Sequence, residues 1–121
     1  MRSTTCIRAG ALLAGIAVAL GAFAAHAMRD RYEATALQTF ETAVRYQLVH
    51  ALAIVLCGAL PATTRRVGAA AIAFTVGVIL FSGSLYALVW FDLRALGMVT
   101  PAGGVAFLVG WALLATPSRA A

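Results

Sequence analysis

The sequence predicts an all-α fold, an integral membrane four-helix bundle that forms a single domain over residues 1–121. Hydrophobic residues make up 63% of the chain and charged residues only 11%, against roughly 25% charged in ordinary soluble proteins. Arg, Lys, Asp and Glu are absent from residues 9–28, 46–64, 67–91 and 95–118. Each stretch is close to or above the ~20 residues with which a helix crosses a bilayer. A soluble domain of this size could not bury so much apolar surface.

The first apolar stretch has two interpretations. Arg2 and Arg8 flank its start, and Ala25-His26-Ala27 near its end fits the small-x-small cleavage rule of a secretory signal peptide. Cleavage there would discard one well-formed span and leave three. We therefore expect an uncleaved first helix over residues 5–27, so that His26 stays in the protein.

The other three helices are predicted from the remaining apolar stretches, over residues 42–60, 66–91 and 98–116. Pro61 ends the second helix, and Thr100-Pro101 starts the fourth, because proline is tolerated in a first helical turn. Thr116-Pro117 ends the fourth helix. Membrane-spanning strands are excluded, since they alternate apolar and polar residues and these segments do not.

Residues 28–41 form the one long connection. Leu37 and Phe40 recur there at helical spacing, behind charged residues that include Arg29, Arg31 and Glu33. The pattern predicts a short amphipathic interfacial helix between helices 1 and 2. A solvated loop is the alternative.

The arginines predict the orientation in the membrane. The amino terminus, the second loop and the carboxyl terminus carry Arg2, Arg8, Arg65, Arg66 and Arg119. The opposite side carries Arg29, Arg31 and Arg94, with Arg45 at the start of the second helix. This bias predicts a multi-pass protein of the plasma (inner) membrane with both termini in the cytoplasm. The net charge of +5 then anchors the spans and needs no nucleic acid as a partner.

Two cysteines lie near the predicted cytoplasmic face, Cys6 in the first helix and Cys57 in the second. Thiols stay reduced in that compartment. The sequence has no CxxC pair and no metal-ligand spacing, so we interpret both as apolar packing residues and predict neither a metal nor a cofactor.

Small residues recur every four positions on three helices, a spacing that lets helix backbones approach closely. On this ground we assign helix packing to Gly15 and Ala19 on the first helix, and to Gly77 on the third. Further packing candidates are Gly83, Gly103, Gly104 and Gly110.

Polar residues are concentrated in the half of the membrane that the predicted topology places outside. Tyr46 and His50 share a helix face, and His26 is expected at a similar depth on the neighbouring helix. Ionisable groups within a membrane are costly and often functional. We therefore predict one polar intramembrane site, formed by His26, Tyr46, His50, Ser84 and Tyr86. The alternative is that both histidines are neutral and only hydrogen-bond across helices.

A second polar pair lies higher on the second helix. Glu41 and Arg45 stand four residues apart, with the acid first, which is the favourable order for an i,i+4 ion pair. We predict that they form one.

Four motifs, "GAFAAHA", "TFETAVRYQLVHALA", "LFSGSLYAL" and "TPAGGVAFLVGWALLA", fall in order along the chain. Together they resemble the small inner-membrane proteins of the domain of unknown function 423, or UPF0382, family, to which the eukaryotic transmembrane protein 256 is similar. The resemblance covers roughly residues 9–116 and implies four helices with the first retained. Ala24 departs from the family's usual glycine. The resemblance implies no known activity.

The sequence lacks the motifs of most enzyme classes. It contains no nucleotide-binding loop, nucleophile–base pair or metal cluster, so we predict that it is not an enzyme. We expect a structural or accessory subunit that binds a membrane complex or lipid. The alternative is a small transporter or channel with a polar site in the outer half of the bundle, although the first helix lacks the carboxylate of small multidrug exporters. The partners expected are the lipid bilayer and either a larger membrane complex or a homo-oligomer.

Overall fold

The computed structural model describes residues 2–61 and 66–116, and every regular element in these ranges is a helix. Helices α1 and α2 span Ser3–Phe23 and Ala34–Ala59, and a π-helical turn, Ala24–Met28, extends α1. Helix α3 (Arg66–Gly77) continues through a π-helical segment (Val78–Gly83) into α4 (Ser84–Phe91). A 3₁₀ turn (Arg94–Met98) precedes α5 (Thr100–Ala115). The predicted all-α fold is confirmed.

These elements make four helical segments of membrane-spanning length and composition, which we call the first to fourth spans: Ser3–Met28, Ala34–Ala59, Arg66–Phe91 and Arg94–Ala115. Their mean hydropathy is 2.0, 1.4, 2.1 and 1.8. A helix of 26 residues, the length of each of the first three spans, is about 39 Å long and exceeds the ~30 Å hydrocarbon core. The predicted second loop with Arg65, together with Pro117 and Arg119, lies outside the described residues.

The second span begins earlier than predicted. Residues 34–41 are helical, as their periodicity indicates, but they form the first two turns of one continuous helix that runs to Ala59. The predicted separate interfacial helix is therefore wrong. No glycine or proline interrupts Ala34–Ala59 before Gly58, and Phe40 is fully buried between the spans, so nothing favours a break there.

The third span contains an irregularity that its composition does not reveal. The π-helical segment Val78–Gly83 widens the helix midway between α3 and α4. Ser82 lies in it, is fully buried, and donates its hydroxyl proton to the carbonyl of Ala43 on the second span at 2.7 Å. The span ends at Phe91 because Asp92 adopts the left-handed conformation, with φ of 51°, which Asp tolerates better than most residues.

The first and second spans pack tightly near the predicted cytoplasmic end. A Cβ at Gly10 would lie 2.7 Å from the carbonyl oxygen of Ala51, so the two backbones are in close contact there. Ser3 donates a hydrogen bond to the carbonyl of Gly58. Cys6 and Cys57 are free thiols buried in the adjoining hydrophobic core, which agrees with their predicted packing role.

The third and fourth spans interlock through two reciprocal phenylalanine–glycine contacts. The ring of Phe107 lies over Gly77, where a Cβ would come within 2.5 Å of its Cε1 atom. The ring of Phe74 lies over Gly110 in the same way, at 2.5 Å. A third close approach brings Gly103 against the backbone of Phe81, where a Cβ would lie 2.7 Å from its Cα. These glycines bring the two helices close enough for the rings to fill the space between them.

Candidate functional site

His50 lies at the centre of an aromatic cluster between the second and fourth spans. It is 4% exposed, and its ring stacks on Phe107 with centroids 3.6 Å apart and planes 11° apart. Phe74 and Trp111 border the same ring at centroid distances of 5.6 Å and 5.8 Å. The phenylalanines are those that fit over Gly77 and Gly110, so the interlock between the third and fourth spans also fixes the imidazole plane.

Both nitrogens of His50 are hydrogen-bonded, and their partners determine which one carries the proton. Nδ1 lies 2.7 Å from the carbonyl oxygen of Tyr46, which can only accept, so Nδ1–H is the donor. Trp111 donates its indole N–H to Nε2 at 3.0 Å, so Nε2 carries no proton. The geometry thus assigns a neutral imidazole with the proton on Nδ1. The hydrogen bond from Trp111 to His50 links the fourth span to the second.

Tyr46 contributes its backbone carbonyl, and not its hydroxyl, to the hydrogen bonds of His50. Its ring is 41% exposed and packs against Phe81 at a centroid distance of 4.7 Å. A shallow groove of about 260 Å³ follows this face of the second span, lined by Arg45, Tyr46, Val49 and His50. Tyr46 and His50 therefore share a face, as their spacing indicates, but the imidazole nitrogens are engaged inside the bundle.

A second polar network joins the first three spans. Tyr86 donates its hydroxyl proton to Oε1 of Gln47 at 2.6 Å, and Gln47 donates Nε2–H to the carbonyl of Leu13 at 2.8 Å. Gln47 is only 3% exposed. The amide thus connects the third span to the first through the second. It is a separate set of hydrogen bonds from the one around His50.

The serines of the third span form a third group. Ser84 shares a hydrogen bond of 2.6 Å with the hydroxyl of Thr100 at the start of α5, and it donates to the carbonyl of Phe81 at 2.9 Å. Together with the bond from Ser82 to Ala43, these contacts stabilise the π-helical segment against the second and fourth spans.

The structure does not bring His26 to the other predicted site residues. Leu13 lies level with Gln47, and Ala24 and Ala25 border the same crevice as Leu37. In this antiparallel register His26 is about fifteen residues, or about 22 Å, from the level of His50.

His26 is also exposed, at the end of the first span. A single site that contains both histidines is therefore wrong. Tyr46, His50, Ser84 and Tyr86 lie inside or beside the bundle, but in the three separate hydrogen-bonded groups described above.

Only some of the predicted packing residues lie at close contacts between helices. Gly77, Gly103 and Gly110 are buried in the close contacts between the third and fourth spans. Gly15 and Ala19 face outward, and a Cβ at Gly15 would meet no atom within 4 Å, so their assignment to packing within the bundle is wrong. Gly83 is exposed, and Gly104 has open space beside it.

Glu41 and Arg45 are both exposed on the second span, and their ion pair stays a prediction.

Sequence reasoning missed three residues that complete these networks: Gln47, Trp111 and Ser82. The available signal was that each places a polar hydrogen-bonding group within an apolar span, where such a group favours a partner. Every buried side-chain nitrogen and oxygen in the described residues has such a partner. Within residues 2–61 and 66–116, no group of three His, Cys, Asp or Glu side chains is placed to hold a metal ion.

Comparison with known proteins adds the family. A family model described as "Protein of unknown function (DUF423)" matches residues 20–104. A UPF0382 membrane protein of Staphylococcus aureus is 42% identical over 106 residues, which cover 87% of each chain. The UPF0382 inner membrane protein YgdD of Escherichia coli is 43% identical over 103 residues, covering 82% of this chain and 77% of YgdD. No solved structure matches the chain. Similarity of this extent, over all four spans, shows that the chain is a membrane protein that belongs to the DUF423 family.

Proposed function

We propose that this chain is a structural or accessory subunit that binds a larger membrane complex, and that it is not an enzyme. The observation that carries this proposal is the pairing of the buried polar groups. His50, Gln47 and Tyr86 are each hydrogen-bonded to another span, and all buried polar side-chain atoms in the described ranges are partnered. A catalytic or transport site needs polar groups that are free to meet a substrate. Here those groups connect helices.

The outer surface supports the same proposal. In the most apolar parts of the first and fourth spans, only 17% of the residues are buried inside the bundle. Leu12, Val18 and Leu108 are exposed by 64% to 69%. Such side chains need lipid or another membrane protein beside them. The exposed surfaces of the first and fourth spans are available to lipid and to a partner protein.

The alternative of a small transporter or channel is less well supported. It would use a polar site open to the outer half of the bundle, and His50 and Tyr86 are the residues that suggested one. Their polar ring and hydroxyl atoms point to Trp111 and Gln47 instead. Flux of protons or substrates in liposomes that contain only this protein would favour transport.

The proposal is tested by native purification of the tagged chain from its own membrane, followed by mass spectrometry. We expect the same membrane proteins at a fixed stoichiometry after size-exclusion chromatography, and we expect their complex to assemble less well when the chain is deleted. Purification of the chain alone, with an unchanged membrane complex profile after deletion, would contradict an accessory role.

We also propose a plasma-membrane location with both termini in the cytoplasm. The name of the Escherichia coli relative refers to the inner membrane, and the arginine bias supports the orientation.

A further inference from the structure

We propose that the cleft at the end of the first and third spans binds the headgroup of a zwitterionic phospholipid. The cleft has a volume of about 490 Å³. It lies where the first span ends at Met28 and the third ends at Phe91. Span ends lie at the level of the lipid headgroups, so the cleft opens where a headgroup is always available. This inference is independent of the accessory role proposed above.

The walls of the cleft are aromatic. Phe23 and Trp90 stand almost at right angles, with an interplanar angle of 78° and centroids 6.3 Å apart, and Tyr32 lines the cleft beside them. The faces of such rings attract a cationic ammonium group. Trp and Tyr are also enriched at this depth in membrane proteins, because their amphipathic rings suit the headgroup layer.

The charged residues of the cleft match the two charges of a zwitterion. Asp30 and Arg31 both line it, one acidic and one basic, with His26 at its edge. A carboxylate binds the ammonium group of phosphatidylethanolamine, and a guanidinium binds its phosphate. A single-charge ligand would leave one of the two side chains without a counter-charge, so the pairing favours a group that carries both signs.

The structure holds the backbone of this turn in place before any ligand arrives. The backbone N–H groups of Arg31 and Tyr32 both donate to the carbonyl of Met28, each at 3.1 Å, which closes a turn around Asp30. Beneath it, Met28 and Phe40 are 1% and 0% exposed, and Phe40 supports the Trp90 ring at a centroid distance of 5.1 Å. Binding therefore does not have to order the backbone of the turn, which lowers its entropy cost.

The test is lipid binding to the purified, delipidated full chain, measured by native mass spectrometry. Phosphatidylethanolamine and phosphatidylglycerol with identical acyl chains are titrated separately, because the second lipid keeps the phosphate and lacks the ammonium group. We expect the first to bind about tenfold more tightly, which is the effect of one such charge contact at about 1.4 kcal/mol. Equal affinity of the two lipids would overturn the proposal.

Three variants assign the charges. Asp30→Asn is expected to abolish the preference between the two lipids, whereas Arg31→Gln is expected to weaken the binding of both. Asp92→Asn is the matched control, since Asp92 is an exposed acid at the same end of the bundle that does not line the cleft. Circular dichroism confirms that each variant is folded. The same effect from Asp30→Asn and Asp92→Asn would overturn the assignment.

A competition experiment shows whether the bound headgroup belongs to a lipid or to a free phosphoethanolamine compound. Soluble glycerophosphoethanolamine carries both charges without acyl chains, and we expect it not to displace the lipid at equal concentration. Full displacement would overturn a lipid as the ligand. A chain that captures its membrane complex but shows no lipid preference would refute only this inference, and the reverse result would refute only the accessory role.

Discussion

Gly110→Ala is expected to destabilise the bundle, because its added methyl group has no room. The new Cβ would lie 2.5 Å from Cε1 and 2.6 Å from Cδ1 of Phe74. Carbon atoms in contact normally stand about 3.5–4.0 Å apart, so one of the two groups must move by about 1 Å. Phe74 is fully buried and packs against Trp111 at a centroid distance of 4.8 Å, so it cannot swing away. Overpacking of this kind costs about 1–3 kcal/mol.

Gly15→Ala is the matched control for this change. Its Cβ would meet no atom of the bundle within 4 Å, so we expect no loss of stability and only the gain that alanine gives over glycine within a helix. Both substitutions are glycine to alanine within a helix. The gain in helix propensity, up to about 1 kcal/mol, is therefore shared and cancels in the comparison.

The assay is reversible unfolding by a titration of dodecyl sulfate into mixed micelles, followed by circular dichroism. A second background, Phe74→Leu, removes the ring that the methyl group would strike. There we expect the cost of Gly110→Ala to fall by at least about 0.5 kcal/mol, the smallest coupling expected of residues in contact. Equal stability of Gly110→Ala and Gly15→Ala would refute the interlocked packing of the third and fourth spans.

The remaining predictions concern the hydrogen bonds and the orientation. Trp111→Phe leaves Nε2 of His50 without its donor and should cost about 0.6–1.7 kcal/mol, the range of hydrogen bonds between membrane helices. Trp90→Phe, at a tryptophan of similar exposure, is the control, and equal losses would count against the bond. Tyr86→Phe and Gln47→Leu should show a coupling of about 0.6 kcal/mol in a double-mutant cycle, and strict additivity would contradict that contact. A reporter fused to the carboxyl terminus should be active only in the cytoplasm, and activity outside would invert the proposed topology.

The positions of the membrane spans were predictable because charged residues and prolines mark where spans and helices end. A charged residue is costly in the hydrocarbon core, so the gaps between charges locate the spans. Proline cannot continue a helix, and the second helix accordingly ends one residue before the predicted residue 60, while α5 begins at Thr100, two residues after the predicted residue 98. The early start of the second span escaped this reasoning, because charges such as Glu41 are tolerated on its exposed face near the membrane surface.

The packing face of the first span could not be read from four-residue spacing alone. Four residues turn a helix by about 400°, so a strict four-residue stripe drifts around the helix by about 40° at each step. The face that packs on the second span is instead the one that contains Gly10, Ala17 and Ala24, at seven-residue spacing. Gly15 belongs to another face. Which of these two faces packs inside the bundle depends on the position of the second span, and the sequence of the first span does not contain that information.

The prediction of a shared polar site was wrong for a related reason. It placed His26 and His50 at equal depth without knowing the register between the first and second spans. Counting from the nearest charge placed His26 and His50 at one level. The second span starts about eight residues earlier than the predicted position 42, which moves His50 deeper into the membrane. The hydrogen bond between Trp111 and His50 joins residues that are 61 positions apart, and no local pattern could have indicated it.

We expect the polar side chains inside the bundle to connect helices and to offer no open binding site. The decisive measurement is the protonation of His50, read by nitrogen-15 NMR of the histidine-labelled protein in lipid bilayers. The chain has only two histidines, and the exposed His26 serves as the internal reference. We predict that His50 is neutral near pH 7 with its proton on Nδ1, and that Trp111→Phe shifts the Nε2 signal. A charged His50, or a proton on Nε2, would show that Trp111 does not donate to His50 and that this ring does not connect the helices in the way described.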